Sequence, residues 1–345
     1  MKKPSLEQQI GQLFIIGFQG QSVSSNHSIT EDIKLRHLGG VILFDRHLAS
    51  KSSLNNIVSP EQLRKLTNRL QQASDTPLLI AVDQEGGRVN RFRKDLGFHE
   101  TPPAKELGDT GDLQLTRQSA VQTSQLLKDV GINFNFAPVV DLNINSKNPI
   151  IGKYGRSFSK DSSAVVEHSK IWIEEHRKAG IISCLKHFPG HGSSIADSHL
   201  GFVDISATWQ ESELQPFARL IEGGFADTIM AGHLFNQLLD RRNPATLSSE
   251  ILQRLLRQQL QFKGVTVSDD MQMKAITSRY GFEEACCRAI AAGIDLVVIG
   301  NNICYDPDLF NTVRKALLKG LEASLITEER IYEAWSRVND LKSKF

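Results

Sequence analysis

Leu78-Leu79-Ile80-Ala81-Val82-Asp83-Gln84-Glu85-Gly86-Gly87-Arg88-Val89-Asn90-Arg91 falls into two halves of opposite character. An unbroken apolar run comes first, and acids, glycines and arginines follow at once. A strand with one wet face alternates apolar and polar positions. This run has no polar position, so it predicts a strand buried on both faces, as in a parallel sheet covered by helices. The charged half then lies at the strand's carboxyl end.

Runs of the same kind recur at residues 13–17, 40–44, 133–140, 181–185, 228–231, 265–267 and 296–299. Segments of helical period separate most of them. Residues 60–72 follow Ser59 as a cap, place Pro60 first and stack Leu63, Leu66 and Leu70 on one stripe. Residues 113–130, 163–178, 211–222, 248–260 and 283–292 read the same way, and Thr327 caps a closing helix that runs to Lys342. Strands interleaved with helices, without a linker or a break in composition, predict one α/β domain over residues 1–345, a (β/α)8 TIM-type barrel. An open doubly wound sheet would use the same elements. No strand here leads into Gly-x-Gly-x-x-Gly or a phosphate loop, so the nucleotide site of such a sheet is missing.

The composition narrows the partners. Forty basic and 39 acidic residues leave a net charge of +1, and mean hydropathy is −0.25. A near-neutral chain has no long-range field to hold nucleic acid or an anionic membrane, which leaves a small or neutral ligand. No run reaches membrane-spanning length, and the apolar stretch 13–18 is too short for a signal segment. The four cysteines, Cys184, Cys286, Cys287 and Cys304, form no Cys-x-x-Cys pair and read as buried or half-buried free thiols. These features predict a cytoplasmic protein. No heptad or long amphipathic stretch offers an interface, so a monomer is expected.

A barrel builds its active site at the carboxyl ends of its strands. Polar residues gather there after strands three to seven: Asp83–Arg91, Asp141, Lys186–Gly192 with Asp197-Ser198-His199, His233, and Ser268-Asp269-Asp270. Each has a plain reading. Glu85 and Arg88 could pair with each other, Asp270 could cap a helix, and Gly86-Gly87 could only turn the chain. Successive charged strand ends on one rim are harder to explain without a ligand, because buried charge must be paired or put to use.

Four segments carry a resemblance: Asp83–Arg91 (DQEGGRVNR), Lys186–Gly192 (KHFPGHG), Asp197–His199 (DSH) and Ser268–Asp270 (SDD). In order and spacing they resemble the single-domain β-N-acetylglucosaminidases of glycoside hydrolase family 3, from about residue 11 to 301. KHFPGHG followed by DSH is the most specific of these signatures. The resemblance implies a (β/α)8 barrel, in agreement with the strand count. Larger relatives carry a second α/β sandwich domain, for which this chain is expected to be too short.

The resemblance also implies roles. Asp269 is the expected nucleophile, attacking the anomeric carbon to form a covalent glycosyl-enzyme. Side chains alternate along a strand, so Asp269 and its neighbour Asp270 are not both expected to point into the barrel mouth. His199 is the implied acid/base, with Asp197 fixing its tautomer and raising its pKa. Substrate contacts are implied for Asp83, Arg91, Arg156 (in Gly155-Arg156-Ser157-Phe158), Lys186, His187 and His233. His191 and Pro189 are expected to shape the loop, and the glycines and serines of 190–194 suit a loop that closes and reopens. No cofactor and no metal are implied.

The chain departs from the family pattern in two places. Ser193-Ser194 stands where many relatives have Asp-Thr, and Leu200-Gly201 follows DSH where Leu-Pro is common. Both changes bear on the loop path and the leaving-group preference. The implied reaction is removal of terminal β-linked N-acetylglucosamine from cell-wall muropeptides during peptidoglycan recycling. Three other readings stay open. Phosphorolysis would suit a neutral histidine acid/base, which does not repel phosphate. The histidines with Asp197 and Asp269 could form a metal-hydrolase set, although strand one has no His-x-His. The barrel could also bind sugar without catalysis.

Overall fold

All eight apolar runs form strands because each can bury both faces, one toward its neighbours inside the barrel and one under the helices. They are β1 (Phe14–Gly17), β2 (Gly40–Ile42), β3 (Leu79–Val82), β4 (Phe134–Asn135), β5 (Ile182–Phe188), β6 (Thr228–Ala231), β7 (Val265–Ser268) and β8 (Val297–Ile299). The computed structural model describes residues 4–48, 54–197 and 201–345. The strands pair in parallel in the order β8-β1-β2-β3-β4-β5-β6-β7. A parallel bridge from Val267 to Leu296 joins the two ends. The result is a (β/α)8 barrel of the TIM type.

Two strands differ from the sequence reading. The expected strand at 133–140 pairs only at Phe134–Asn135, with one later bridge from Val139 to Lys186. Pro138 lies between them and has no N–H for the ladder. β5 instead runs three residues past the apolar stretch, through Lys186, His187 and Phe188. Its register with β6 shifts between Leu185 and Phe188. A bulge of this kind re-aims side chains beside a site.

Helix Pro60–Gln72 has the expected bounds, with Ser59 Oγ accepting from Gln62 N. Helices Leu113–Asp129, Ser162–Ala179 and Phe282–Ala292 also fall where the apolar period placed them. Helices Ser28–Leu35 and Leu309–Glu322 complete the ring without having been expected. The first is short, and the second contains Asn311, Thr312 and Gly320, which are weak helix formers.

The barrel interior alternates with the outer layer along each strand. In β3, Leu79 and Ala81 face inward with Ile15, Phe134 and Val265, whereas Ile80 and Val82 pack under the helices. The C-terminal helix Glu328–Lys344 closes the lower end by adding Val338 and Leu341 to the interior cluster. Lys342 Nζ donates to Gln12 Oε1 (2.7 Å) and Gly39 O (2.8 Å) at the same end. Buried Asp295 gathers Arg257, Arg330 and Arg337 beside them. The opposite end is open.

Cys184, Cys286 and Cys287 are buried free thiols, while Cys304 is exposed in the loop after β8. No helix among the described residues is long and apolar enough to cross a membrane.

Candidate active site

Glu85 stands just beyond β3 and organises the open end. Its carboxylate takes a two-pronged contact from Arg156, Nε to Oε2 at 2.7 Å and Nη2 to Oε1 at 2.8 Å. Lys186 Nζ lies 2.6 Å from the same Oε1 and 2.9 Å from Asp83 Oδ1. The fork matches the planar guanidinium to the carboxylate, and the point charge of Lys186 fills the remaining edge. Burial pushes the Glu85 pKa up, but Arg156 and Lys186 outweigh it and hold the carboxyl well below its usual range. Lys186 is shifted the other way: burial lowers its pKa, and Asp83 and Glu85 raise it further. Glu85 therefore pairs across the rim rather than with Arg88, whose guanidinium lies over the Tyr154 ring at 4.7 Å.

The loop that carries Glu85 is folded by Gln84. Its Oε1 accepts from Arg91 N and Phe92 N, and its Nε2 donates to Thr101 Oγ1. Gly86 has φ +98°, and a Cβ there would come within 2.2 Å of Pro102 O, so the turn requires glycine. Arg91 reaches back toward Asp83, Nη2 to Oδ2 at 3.7 Å.

Asp141, past β4, forms a second centre. It accepts from His187 N, from His187 Nδ1 at 2.7 Å, and from His191 N at 2.8 Å. Burial raises the Asp141 pKa, and His187 with His191 brings it net below the ordinary value. His187 Nε2 lies 3.3 Å from Arg156 Nη2. Arginine can only donate, so Nε2 accepts and the ring proton sits on Nδ1. Protein groups thus engage both ring nitrogens of His187, which acts here as a link between Asp141 and Arg156.

Asp269 and Asp270 both border the cavity, contrary to the alternation argument. β7 ends at Ser268, so the two acids lie beyond the strand, where alternation no longer applies. They are held differently. Asp270 Oδ1 accepts from Gln272 N and Gly300 N, each at 3.0 Å, which ties the loop to the end of β8. Asp269 Oδ1 accepts from Asp270 N at 2.8 Å.

The approach to the expected acid/base pair is firmer than its composition suggests. Residues 190–194 are buried throughout. Glu213 Oε2 accepts from Gly192 N and Ser193 N, and Asn148 donates to His191 O. A Cβ at Gly192 would lie 1.6 Å from Leu142 O. The glycines permit close packing here, not an open loop. Asp197 borders the cavity, and His199 lies outside the described residues.

The cavity has a volume of about 370 Å³. Asp83, Arg91, Arg156, Lys186 and His187 line one side of it, and Asp197 and Asp269 also face it. Ile42, Phe44, Met230, Met273 and Val298 form an apolar side. His233 is not in the wall: it is buried behind Asp270, with Nδ1 2.8 Å from Thr246 Oγ1 and Nε2 2.9 Å from Asp270 O. Among the described residues no group of three or more His, Cys, Asp or Glu is arranged to hold a metal ion. Sequence reasoning did not single out Glu85, Asp141 or Glu213 as site residues. The first two were visible as polar strand ends, but their partners are far away in the chain. Glu213 sits in an ordinary helical segment and gave no signal.

Residues 5–341 match the Glycosyl hydrolase family 3 N terminal domain. The chain belongs to that family. It is 32% identical to β-hexosaminidase A of Pseudoalteromonas piscicida over 92% of this chain and 55% of that protein. It is 37% identical to a β-hexosaminidase of Nitrosomonas eutropha, covering 81% and 78% of the two chains. Among solved structures, a family 3 β-N-acetylglucosaminidase from a Paenibacillus species superposes with a TM-score of 0.89 at 34% identity, over 99% of this chain and 63% of that one. The β-N-acetylhexosaminidase of Beutenbergia cavernae gives 0.87 at 29% identity and covers 99% of both. The family 3 barrel thus spans just over half of the Pseudoalteromonas protein and under two thirds of the Paenibacillus one, and nearly all of the Beutenbergia one.

Proposed function

We propose that this family 3 barrel is a retaining exo-β-N-acetylglucosaminidase and that residues 1–345 form one catalytic unit. The observation that carries the reading is the placement of Asp269 at the β7 end of a cavity closed below. Asp83, Lys186 and the Glu85–Arg156 pair are gathered on the wall of that cavity. Carboxylates and fork donors suit sugar hydroxyls. A volume near the lower end for ligand sites suits a terminal sugar rather than a long chain threaded through.

In the proposed reaction Asp269 attacks the anomeric carbon as His199 gives a proton to the leaving oxygen. The glycosidic bond breaks and a glycosyl ester forms on Asp269. His199, now neutral, takes a proton from water, which opens the ester and returns the sugar with its β configuration. Asp197 holds the imidazole. Among the described residues five carboxylates (Asp83, Glu85, Asp197, Asp269, Asp270) face the cavity against three cations (Arg91, Arg156, Lys186). That surplus favours the positive charge of an oxocarbenium-like transition state. It also argues for water over phosphate as the acceptor, although a β-glucoside phosphorylase superposes with a TM-score of 0.81 at 25% identity.

A second groove shares Phe44, Leu48, Arg91 and Asn302 with the cavity and adds Arg46, Arg88 and Arg93, with Asp45 as its one carboxylate among the described residues. Four arginines at the exit suit a carboxylate-bearing leaving group, in keeping with muropeptides and peptidoglycan recycling. A carbohydrate partner, a cytoplasmic site of action and a monomeric state complete the proposal. Mass spectrometry after treatment with a fluorinated N-acetylglucosamine analogue tests it. A sugar adduct on the peptide containing Asp269 is expected, and an adduct elsewhere would overturn the assignment. Release of sugar 1-phosphate in phosphate buffer would replace hydrolysis by phosphorolysis.

A further inference from the structure

A cavity that takes a terminal sugar and is closed below must let the rest of the substrate pass out by its mouth. The side chains at that mouth therefore meet the leaving group. Depth in the cavity can be read from burial. Ile42, Phe136, Met230 and Val298 line it as part of the barrel interior, each at most 3% exposed, and form its floor. Among the described residues that line it, the two most exposed are Leu48 at 63% and Ile303 at 44%. They stand at the rim, and both are aliphatic.

Exposed aliphatic side chains scattered singly over a surface need no explanation. These two are not scattered. Leu48 lies in the loop after β2 and Ile303 in the loop after β8, and Asn302 joins the two loops. The Asn302 side chain accepts from Leu48 N and donates to Arg46 O, each at 3.1 Å. The second loop is also closed on itself. Asn301 Nδ2 donates to Asp306 O and Asp306 N to Asn301 Oδ1, each at 2.9 Å. Gln272 Nε2 donates to Cys304 O at 3.0 Å, which ties the loop to the segment that follows Asp269 and Asp270. These bonds hold two apolar side chains in water at the place a substrate must cross.

We infer that Leu48 and Ile303 form a leaving-group lip, an apolar surface that covers the apolar face of whatever lies beyond the scissile bond and so sets the preference among leaving groups. This rests on the glycosidase reading and adds a second kind of selectivity to it. The buried charged wall answers to the hydroxyls of the sugar. The lip answers to apolar area, because covering its side chains removes them from water in proportion to the surface laid on them. The arginine groove begins at Leu48, so a leaving group long enough to cross the lip brings its far end to Arg46 and Arg88.

The test is kcat/KM for the ethyl, butyl and hexyl β-N-acetylglucosaminides. Their alcohols are of nearly equal acidity, so bond cleavage is constant along the series and only apolar area changes. A methylene covered on one side should gain about twofold, so wild type should gain about fifteenfold from ethyl to hexyl. In Leu48→Ser/Ile303→Ser that ratio should fall to about threefold or less, with each single change giving part of the fall. Leu325→Ser, at a leucine 65% exposed that does not line the cavity, should keep the wild-type ratio. The inhibition constant of free N-acetylglucosamine, which has no leaving group, should not follow the ratio. A flat wild-type series, a double variant with the wild-type slope, or an equal loss of N-acetylglucosamine binding would overturn the inference. No wild-type turnover of any of the three sinks the glycosidase, whereas turnover with a flat series sinks only the lip.

Discussion

Replacing Glu85 by Gln keeps its shape and removes one charge from the most connected carboxylate of the rim. Arg156 and Lys186 would then remain buried, with Asp83 as the nearest acid to Lys186, 2.9 Å away and 20% exposed. Breaking a buried ion pair by neutralising one partner costs about 3–5 kcal/mol, chiefly because the other charge is left uncompensated. The unfolding entropy of a chain of 345 residues is on the order of 0.7 kcal/mol per degree, so Tm should fall by about 4–7 °C. The wild type should also carry an acid-sensitive component that the variant lacks. The Glu85 pKa is lower folded than unfolded, so its contribution is fully present above the unfolded carboxyl value and fades as pH falls toward the folded one.

Scanning calorimetry of both proteins at neutral pH and at about pH 3, below the unfolded carboxyl value, reads the two effects together. Glu85→Gln should lose several degrees at pH 7, and the gap should narrow with acid. KM should rise as well, because Arg156 loses the fork that aims it. The double variant Glu85→Leu/Arg156→Met should be less destabilised than the two single changes summed. A Tm within a degree of wild type, with KM unchanged, would refute the view that Glu85 organises this wall.

The two neighbouring acids should separate cleanly. Asp269→Asn should lose at least ~10³-fold in kcat with its fold intact, while Asp270→Asn, which keeps an oxygen for Gln272 N and Gly300 N, should stay within about tenfold. Comparable losses in both would undo the assignment. Glu213→Leu strands the N–H groups of Gly192 and Ser193 and should cost about 1–3 kcal/mol for each in urea denaturation. Glu213→Gln, which still accepts, should cost far less. Lys342 is buried with its pKa pulled down to about 7, below its unfolded value. The unfolded chain thus holds more protons above neutrality, and wild-type stability should rise with pH by up to ~1.4 kcal/mol per unit. Lys342→Met should abolish that rise, and parallel pH profiles of the two proteins would count against it.

Unbroken apolar runs made the barrel legible, because a strand buried on both faces writes its burial directly into the sequence. Charged strand ends likewise gave the rim. Pairing was not legible. Glu85 is three residues from Arg88 and 71 from Arg156, and spacing favours the near partner where the fold supplies the far one. The polar Lys186 and His187 seemed to end β5. They extend it, because Asp83, Glu85 and Asp141 satisfy them from neighbouring strand ends. Gly190–Ser194 looked mobile by composition, yet glycine serves close packing as readily as motion, and the carbonyl of Leu142 decides which. His233 had the right residue type at the right strand end, but Thr246 and the Asp270 carbonyl hold it behind the wall.

These outcomes share a physical cause. Each rim residue that sequence reasoning misjudged is engaged by a group from another strand end, and only closure of the barrel brings those groups together. Closure also explains why so much charge is tolerated there. Glu85 offers two oxygens to two cations, and Asp141 is surrounded by donors from the β5 segment, so the buried acids are satisfied before any ligand arrives. A wall satisfied in advance need not rearrange to receive a sugar, which is what electrostatic preorganisation requires. The residues left for the substrate are then those whose bonding capacity the protein has not used. On that criterion the cavity-lining His187, both of whose ring nitrogens the protein already engages, serves Arg156 as its support.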